Sequence, residues 1–284
     1  MQLNKQEQEA ARKLIALAID EDIGTGDATT LHLVPAAERR SAFMVAKATG
    51  VVAGLEIAEM VFRGFDPELE WTPAVRDGDQ VKPGDVLVSF RASYRALLTA
   101  ERTALNFLQR LSGIATTSAA YVSAVKGYPT KILDTRKTLP GFRLLDKYAV
   151  RTGGAINHRI GLYDMVMIKD NHIEVAGSIA AAVAAIRKSL GVTLKVEVET
   201  TRIEEVEQAL EAGADIIMLD NMDVETMALA VKRIGDRALT EASGNMTLER
   251  VAKVAATGVN YISVGALTHS VEALDISMRI STVR

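Results

Sequence analysis

From Lys131 onward, short apolar runs alternate with longer helical stretches at a regular spacing. Runs of strand length cover Lys131–Asp134, Met165–Lys169, Leu194–Glu199, Ile216–Leu219, Leu239–Ala242 and Tyr261–Val264. Between them, Ser178–Leu190, Arg202–Ala212, Val224–Ile234 and Leu248–Ala256 carry apolar residues at helical spacing. The boundary residues agree with these spans. Thr201 with Glu204 reads as a capping box, Gly213 as the residue that closes that helix, and Asp223 as the cap of the next. The later repeats return about every 22 residues, as short βα units of a parallel barrel do. Eight such units need roughly 200 residues or more. The space here favours six or seven strands in an irregular barrel.

The first part of the chain is patterned differently. Asn4 caps a helix whose apolar positions, Leu14, Ile15, Leu17, Ala18 and Ile19, gather toward its end. Asp20-Glu21-Asp22, followed by Gly24-Thr25-Gly26-Asp27, breaks it; this acid cluster reads as a solvated turn in preference to a metal site. Strand-like runs follow at Ser41–Lys47, Gly50–Gly54 and Val86–Phe90, with a helical piece at Ile57–Phe65. Arg76-Asp77-Gly78-Asp79 and Lys82-Pro83-Gly84-Asp85 are turn signals. This is the pattern of a compact α+β unit. A helical stripe then runs from Tyr94 to Leu111 with Glu101 and Arg102 inside it, and Ser112-Gly113 ends or interrupts it.

Bulk composition narrows the possible functions. A chain of 284 residues forms one large domain or two smaller ones. A net charge of −3 leaves no basic excess for a general nucleic-acid binder. The absence of cysteine excludes disulfides, a thiol nucleophile and thiolate metal sites. The polar start MQLNKQEQEAARKL does not read as a signal peptide, and no apolar run reaches membrane-spanning length. The expectation is a cytoplasmic enzyme.

Charge is distributed unevenly. The stretch from Asp134 to His172 holds seven cations (Arg136, Lys137, Arg143, Lys147, Arg151, Arg159 and Lys169) against four aspartates and no glutamate. A solvated basic loop and a pocket for a polyanion both fit that charge alone. Position favours the pocket, because Arg136 and Lys169 each follow an apolar strand-like run. The candidate strands end in a polar series: Asp134-Thr135-Arg136-Lys137, Lys169-Asp170, Glu199, Asp220-Asn221, Glu241 with Ser243-Gly244, and Ser263 with Gly265. In a barrel these ends converge on one mouth. Strict alternation in Leu194–Glu199 sends Lys195, Glu197 and Glu199 to one face, expected to be the barrel interior. Glu199 and Asp220 can hold Mg²⁺ against phosphate oxygens or stabilise a developing cation. The small-residue turns Ser243-Gly244-Asn245 and Ser263-Val264-Gly265-Ala266 can offer main-chain N–H groups to a phosphate.

At this point the motifs match a known family. The chain closely resembles quinolinate phosphoribosyltransferases through Gly26-Asp27-Ala28-Thr29-Thr30, Ala100–Asn106, Ser112–Thr116, Asp134–Thr138, Gly153–Arg159 and Ile168–His172. Glu197-Val198-Glu199, Leu219-Asp220-Asn221, Glu241–Asn245 and Ser263–His269 continue the match. The resemblance implies an N-terminal α/β sandwich over 1–111, with the segment 273–284 as a candidate addition to it. A type II phosphoribosyltransferase barrel over 112–272 would follow. It implies transfer of phosphoribosyl from 5-phosphoribosyl 1-diphosphate to quinolinate with loss of CO₂, using Mg²⁺. Arg102, Arg136, His158, Arg159 and Lys169 would bind quinolinate, with Arg102 reaching across a homodimer or a higher assembly. Lys137, Glu199, Asp220, Ser243, Gly244, Asn245, Ser263, Gly265 and Ala266 would bind the donor. Lys137, Glu199 and Asp220 would be catalytic, and Glu199 and Asp220 would hold the metal directly or through diphosphate and water. His158 and Lys169 are both candidates to protonate the product carbanion. Rival readings are a sister phosphoribosyltransferase with another acceptor, a Schiff-base aldolase using Lys169, and a non-catalytic metabolite sensor.

Overall fold

A computed structural model describes residues 1–190 and 193–281. The chain divides into two compact units. One comprises 1–119, 138–154 and the described part of 270–284; the other comprises 120–137 and 155–269.

The first unit begins with α1 (Lys5–Asp22), which runs through the acidic cluster before ending. Its predicted cap is present: Asn4 Oδ1 accepts the Glu7 N–H at 3.0 Å, and the Glu7 carboxylate accepts the Asn4 N–H at 2.9 Å. The elements α2 (Thr30–Leu33), β1 (Arg39–Ala46), β2 (Gly50–Val51), α3 (Leu55–Phe65), β3 (Glu70–Pro73), β4 (Gln80–Val81) and β5 (Val86–Ser93) follow. Helix α3 buries Leu55, Ile57, Ala58, Val61 and Phe62. Phe62 joins Trp71 and Phe90 in a ring cluster with centroids 4.9–6.1 Å apart. The Asp77 carboxylate accepts from Gly54 N–H (2.6 Å) and Leu55 N–H (3.2 Å) at the start of α3, and from the Tyr148 hydroxyl (2.6 Å).

Helix α4 (Tyr94–Ala124) passes through Ser112-Gly113 without a break. The glycine is there for a close approach: a Cβ on Gly113 would stand 2.1 Å from the Glu272 carbonyl oxygen. Helix α5 (Arg143–Thr152) was hidden inside the basic stretch. It packs on α1 and places 138–154 in the first unit, away from the barrel grouping expected for it. Two of its charges are held in ion pairs inside this unit. Asp146 is fully buried against Arg110 at 2.9 Å, and Arg151 meets Glu7 at 2.6 Å.

The second unit is built of β6 (Lys131–Leu133), β7 (Val166–Ile168), α6 (Asp170–Ala176), α7 (Ile179–Leu190), β8 (Val196–Thr200), α8 (Ile203–Glu211), β9 (Ile216–Asp220), α9 (Val224–Ile234), β10 (Leu239–Ser243), α10 (Leu248–Ala255), β11 (Tyr261–Ser263) and α11 (Ala266–His269). Six strands pair in parallel in the order β6-β11-β10-β9-β8-β7. Among the described residues β6 and β7 do not pair with each other, so the barrel is irregular and open on that side. An isolated bridge from Leu133 to Ile156 extends the β6 edge there. Both faces of β8 are buried, as expected for a parallel sheet inside a barrel. The last described strand, β12 (Ile276–Ile280), pairs antiparallel with β1 and completes the first unit's sheet, β12-β1-β5-β3. Residues 282–284 of the terminal segment lie outside the described residues.

Two local expectations are corrected. At α8 the cap position is Arg202, which makes no side-chain capping bond, and Glu205, not Glu204, turns back to the Thr201 N–H at 2.8 Å. Lys195 precedes β8 and is exposed at the strand's entry end, so only Glu197 and Glu199 of the alternating trio turn inward. Asp223 does cap α9, accepting the Thr226 N–H at 2.7 Å. No helix among the described residues is long and apolar enough to cross a membrane.

Candidate active site

The carboxyl ends of the parallel strands surround a cleft of about 870 Å³. From β6 come Thr135, Arg136 and Lys137, and from β7 comes Lys169. Glu199 stands on β8, Asp220 ends β9, Glu241 and Ser243 belong to β10, and Ser263 ends β11. His158 and Arg159 enter from the loop beside the open edge. The structure thus brings together Arg136, Lys137, His158, Arg159, Lys169, Glu199, Asp220, Ser243, Gly244, Asn245, Ser263, Gly265 and Ala266. Arg102 is not among the residues lining the cleft; it lies exposed on α4 of the first unit.

At the mouth Lys169 pairs with Glu199, with 44% of the lysine side chain still exposed. The Lys169 N–H donates to His172 Nδ1 at 3.0 Å, which fixes the start of α6. The loop after β9 has Asn221 at φ +54°, and Asn221 Nδ2 donates to Asp220 Oδ2 at 2.7 Å. Gly244, at φ +92°, cannot be replaced: a Cβ there would be 2.1 Å from Asn221 Oδ1. Arg250 pins both loops, donating to Met222 O (2.7 Å) and Gly244 O (3.1 Å). At Gly265 an added Cβ would sit about 3.0–3.1 Å from His269 and Lys137, so the glycine lets those two side chains close over the β11 turn.

Deeper in the barrel lies a second charged group. Nε2 of His158 stands 3.3 Å from Glu197 Oε2 and 3.2 Å from Glu241 Oε2, with Glu197 and Glu241 at most 1% exposed. Three of the four carboxylate oxygens in this nest, Glu197 Oε1, Glu197 Oε2 and Glu241 Oε1, have no well-aligned donor among the described residues. Burial works against a charge on the ring and the Glu197 and Glu241 carboxylates favour one, while the Arg159 N–H aimed at Nδ1 opposes a second ring proton. Burial and the Glu241 charge raise Glu197 to about 7. Burial, then the neighbouring Arg136 charge, push Arg159 below its usual value. The donor set resembles a cation site, since one atom from each of His158, Glu197 and Glu241 lies within 4.8 Å of the others. Ring chemistry disfavours it. His158 Nδ1 accepts the Arg159 N–H at 2.7 Å, which leaves the proton on Nε2, the nitrogen that a metal would need.

Sequence reasoning placed Asn221 and Glu241 in the strand-end series without giving them a role, and gave none to Thr247 or His269. Asn221 and Thr247 line the cleft from loops whose course no periodicity reveals, and His269 lines it from the end of α11. Glu241 was visible as a polar residue at a strand end but had no evident partner.

A parallel α/β barrel with guanidinium and ammonium groups beside two half-buried carboxylates at its mouth defines an enzyme class that handles a small polyanion. Comparison with known proteins identifies the family. A family model described as quinolinate phosphoribosyl transferase, N-terminal domain, matches residues 27–112, and the corresponding C-terminal domain model matches 114–279. A Synechocystis protein named probable nicotinate-nucleotide pyrophosphorylase [carboxylating] is 48% identical over 263 residues, 92% of this chain and 89% of the relative. Quinolinate phosphoribosyltransferase [decarboxylating] 1b of Nicotiana tabacum is 46% identical over 95% of this chain and 82% of its own length. The solved structure of NadC from Streptococcus pyogenes superposes with a TM-score of 0.95 at 39% identity, covering 100% of both chains. The chain belongs to the quinolinate phosphoribosyltransferase family.

Proposed function

We propose that this chain transfers the phosphoribosyl group of 5-phosphoribosyl 1-diphosphate to quinolinate, releasing CO₂ and diphosphate and forming nicotinate mononucleotide. The observation that carries the reading is the convergence of Arg136, Lys137, Arg159 and Lys169 with Glu199 and Asp220 in one cleft. Quinolinate is a planar dianion, and two guanidinium forks with a lysine match its adjacent carboxylates. The ribose phosphates face the small-residue turns at Ser243–Asn245 and Ser263–Ala266.

Glycosyl transfer builds positive charge on the sugar as diphosphate departs. Glu199 and Asp220 stabilise that charge, and Lys137 neutralises the departing oxygens. The same two carboxylates are hard oxygen donors that suit Mg²⁺. The metal would supply charge neutralisation on the donor's diphosphate. After transfer the ring nitrogen is cationic, so loss of the neighbouring carboxylate leaves a stabilised ylide that takes a proton. Of the two candidate donors, Lys169 stands half-exposed at the mouth, whereas His158 lies below it with Nε2 against Glu197 and Glu241.

Arg102 is read as reaching the acceptor of a second copy in a homodimer, since it is exposed on the first unit and absent from the cleft of its own barrel. A cytoplasmic setting fits the cysteine-free chain. The deciding experiment incubates the chain with quinolinate, donor and Mg²⁺ and measures CO₂, diphosphate and mononucleotide. Equal amounts of all three support the reading. Turnover of nicotinate without CO₂, or no turnover with either acceptor, would overturn it.

A further inference from the structure

The loop that carries Arg159 crosses the open side of the barrel, and past the Leu133–Ile156 bridge no strand pairing holds it among the described residues. Side chains hold it instead. Asp134, fully buried just beyond β6, accepts from Asn157 Nδ2 (2.7 Å) and from the His158 N–H (2.8 Å). The Arg159 N–H goes to His158 Nδ1, and the Ile160 and Gly161 N–H groups go to the two oxygens of Asp164 at 2.7 and 2.9 Å. Four successive main-chain donors therefore end on side chains. Three of the carboxylates involved sit on or just past β6, β8 and β10: Asp134 holds the loop directly, while Glu197 and Glu241 hold it through the imidazole.

Two carboxylates this deep are expensive, and a hydrophobic pair of similar volume would be as stable or more so. Their geometry accounts for their presence. They face Nε2, and this turns Nδ1 outward to receive the Arg159 amide. Both ring nitrogens are thereby turned to the protein itself. The guanidinium of Arg159 is fixed at its far end too, donating to Met165 O at 3.1 Å.

We propose that Glu197 and Glu241 are positioning residues: through His158 they orient the Arg159 main chain, and so the guanidinium presented to the acceptor's carboxylates. His158 then serves quinolinate binding by holding Arg159. This rests on the proposed reading that the cleft binds quinolinate.

The test compares Glu241→Leu with Glu241→Gln, whose amide oxygen still accepts from Nε2–H. In the folded leucine variant the KM for quinolinate should rise about tenfold or more, with the KM for the phosphoribosyl donor within about twofold of wild type. The glutamine variant should stay within about threefold for both substrates. An unchanged quinolinate KM in the leucine variant, or equal rises for both substrates, overturns the proposal. An inactive wild type would instead defeat the functional reading. A second measurement does not depend on any core variant folding. In ¹⁵N spectra of the wild type, His158 should show an unprotonated, acceptor-type Nδ1, assigned by removing the signals of His32, His172 and His269 one at a time. A ring protonated on both nitrogens at neutral pH would overturn the proposal.

Discussion

Two acid–base groups stand on one face of β8, two residues apart, and depth alone separates their behaviour. Glu199 meets Lys169 at the mouth, where their side chains are 17% and 44% exposed. Glu197 meets His158 a layer lower, where the values are 0% and 7%. A strand rise of about 3.3 Å per residue places the two layers roughly 7 Å apart. Near water, an ion pair adds little to stability, and its charges stay available to a ligand. In the interior the same pairing commits both partners, because neither can lose the other without leaving an uncompensated charge. The mouth is therefore built for exchange with substrates and the interior for fixed geometry.

The largest effect that would sharpen this contrast is on folding. Replacing His158 with Leu strands two buried carboxylates, and urea unfolding should show a loss of about 3–5 kcal/mol. Lys169→Leu should change stability by less than about 1 kcal/mol. Similar losses in both variants would erase the distinction between the layers. Activity should reverse the order of the two sites' importance. Lys169→Leu removes a charge-assisted contact to the acceptor, so kcat/KM for quinolinate should fall by about one to two orders of magnitude while the fold persists. Wild-type kcat/KM in that variant would mean that the mouth pair is not part of the site.

The two layers should also differ in their response to pH. The interior pair holds the group whose titration burial displaces, the Glu197 carboxyl, while His158 keeps a single ring proton on Nε2. Glu197 is raised from 4.5 to about 7, so the stability it contributes is complete below about 4.5 and is lost as pH rises toward 7, because the folded state holds the proton more tightly. Wild-type stability should therefore fall between about pH 4.5 and 7 by up to about 1 kcal/mol per pH unit from this group. In the double variant Glu197→Gln, Glu241→Gln that slope should flatten, whereas Lys169→Leu should keep it. An identical slope in all three proteins would place the titration elsewhere.

Much of this layering was legible in the sequence, and the illegible parts share a cause. The βα repeats declare themselves locally: Asp223 caps its helix, Gly213 closes the one before, and each apolar run is a strand. Barrel geometry then brings the strand ends together whatever the loops do, so Arg136, Lys169, Glu199 and Asp220 could be read as one site. What could not be read depended on partners distant in the chain. Gly113 looks like a helix terminator until the Glu272 carbonyl is seen against it. Arg143, Lys147 and Arg151 look like part of an anion pocket until α5 packs on α1. Strand β12 pairs with β1 at the opposite end of the sequence. Glu241 shows its place at a strand end but not its partner, because His158 arrives on a loop whose path no hydrophobic period records. Even Lys195, in phase with Glu197, fell outside because the strand begins one residue later.

The smallest expected effect is the direct coupling across the mouth pair, and it tests depth most cleanly. A double-mutant cycle with Lys169→Leu and Glu199→Gln isolates the interaction from what each side chain does alone. Because Lys169 is partly in water, the coupling should be about 0–1 kcal/mol in low salt. Raising the salt to about 0.5 M shortens the screening length to a few ångströms and should remove most of it. The corresponding cycle between His158 and Glu197 should give a larger coupling that salt barely alters, since ions cannot enter a layer with so little exposure. A mouth coupling that resists salt, or an interior coupling that salt dissolves, would show that depth is not what distinguishes the two groups.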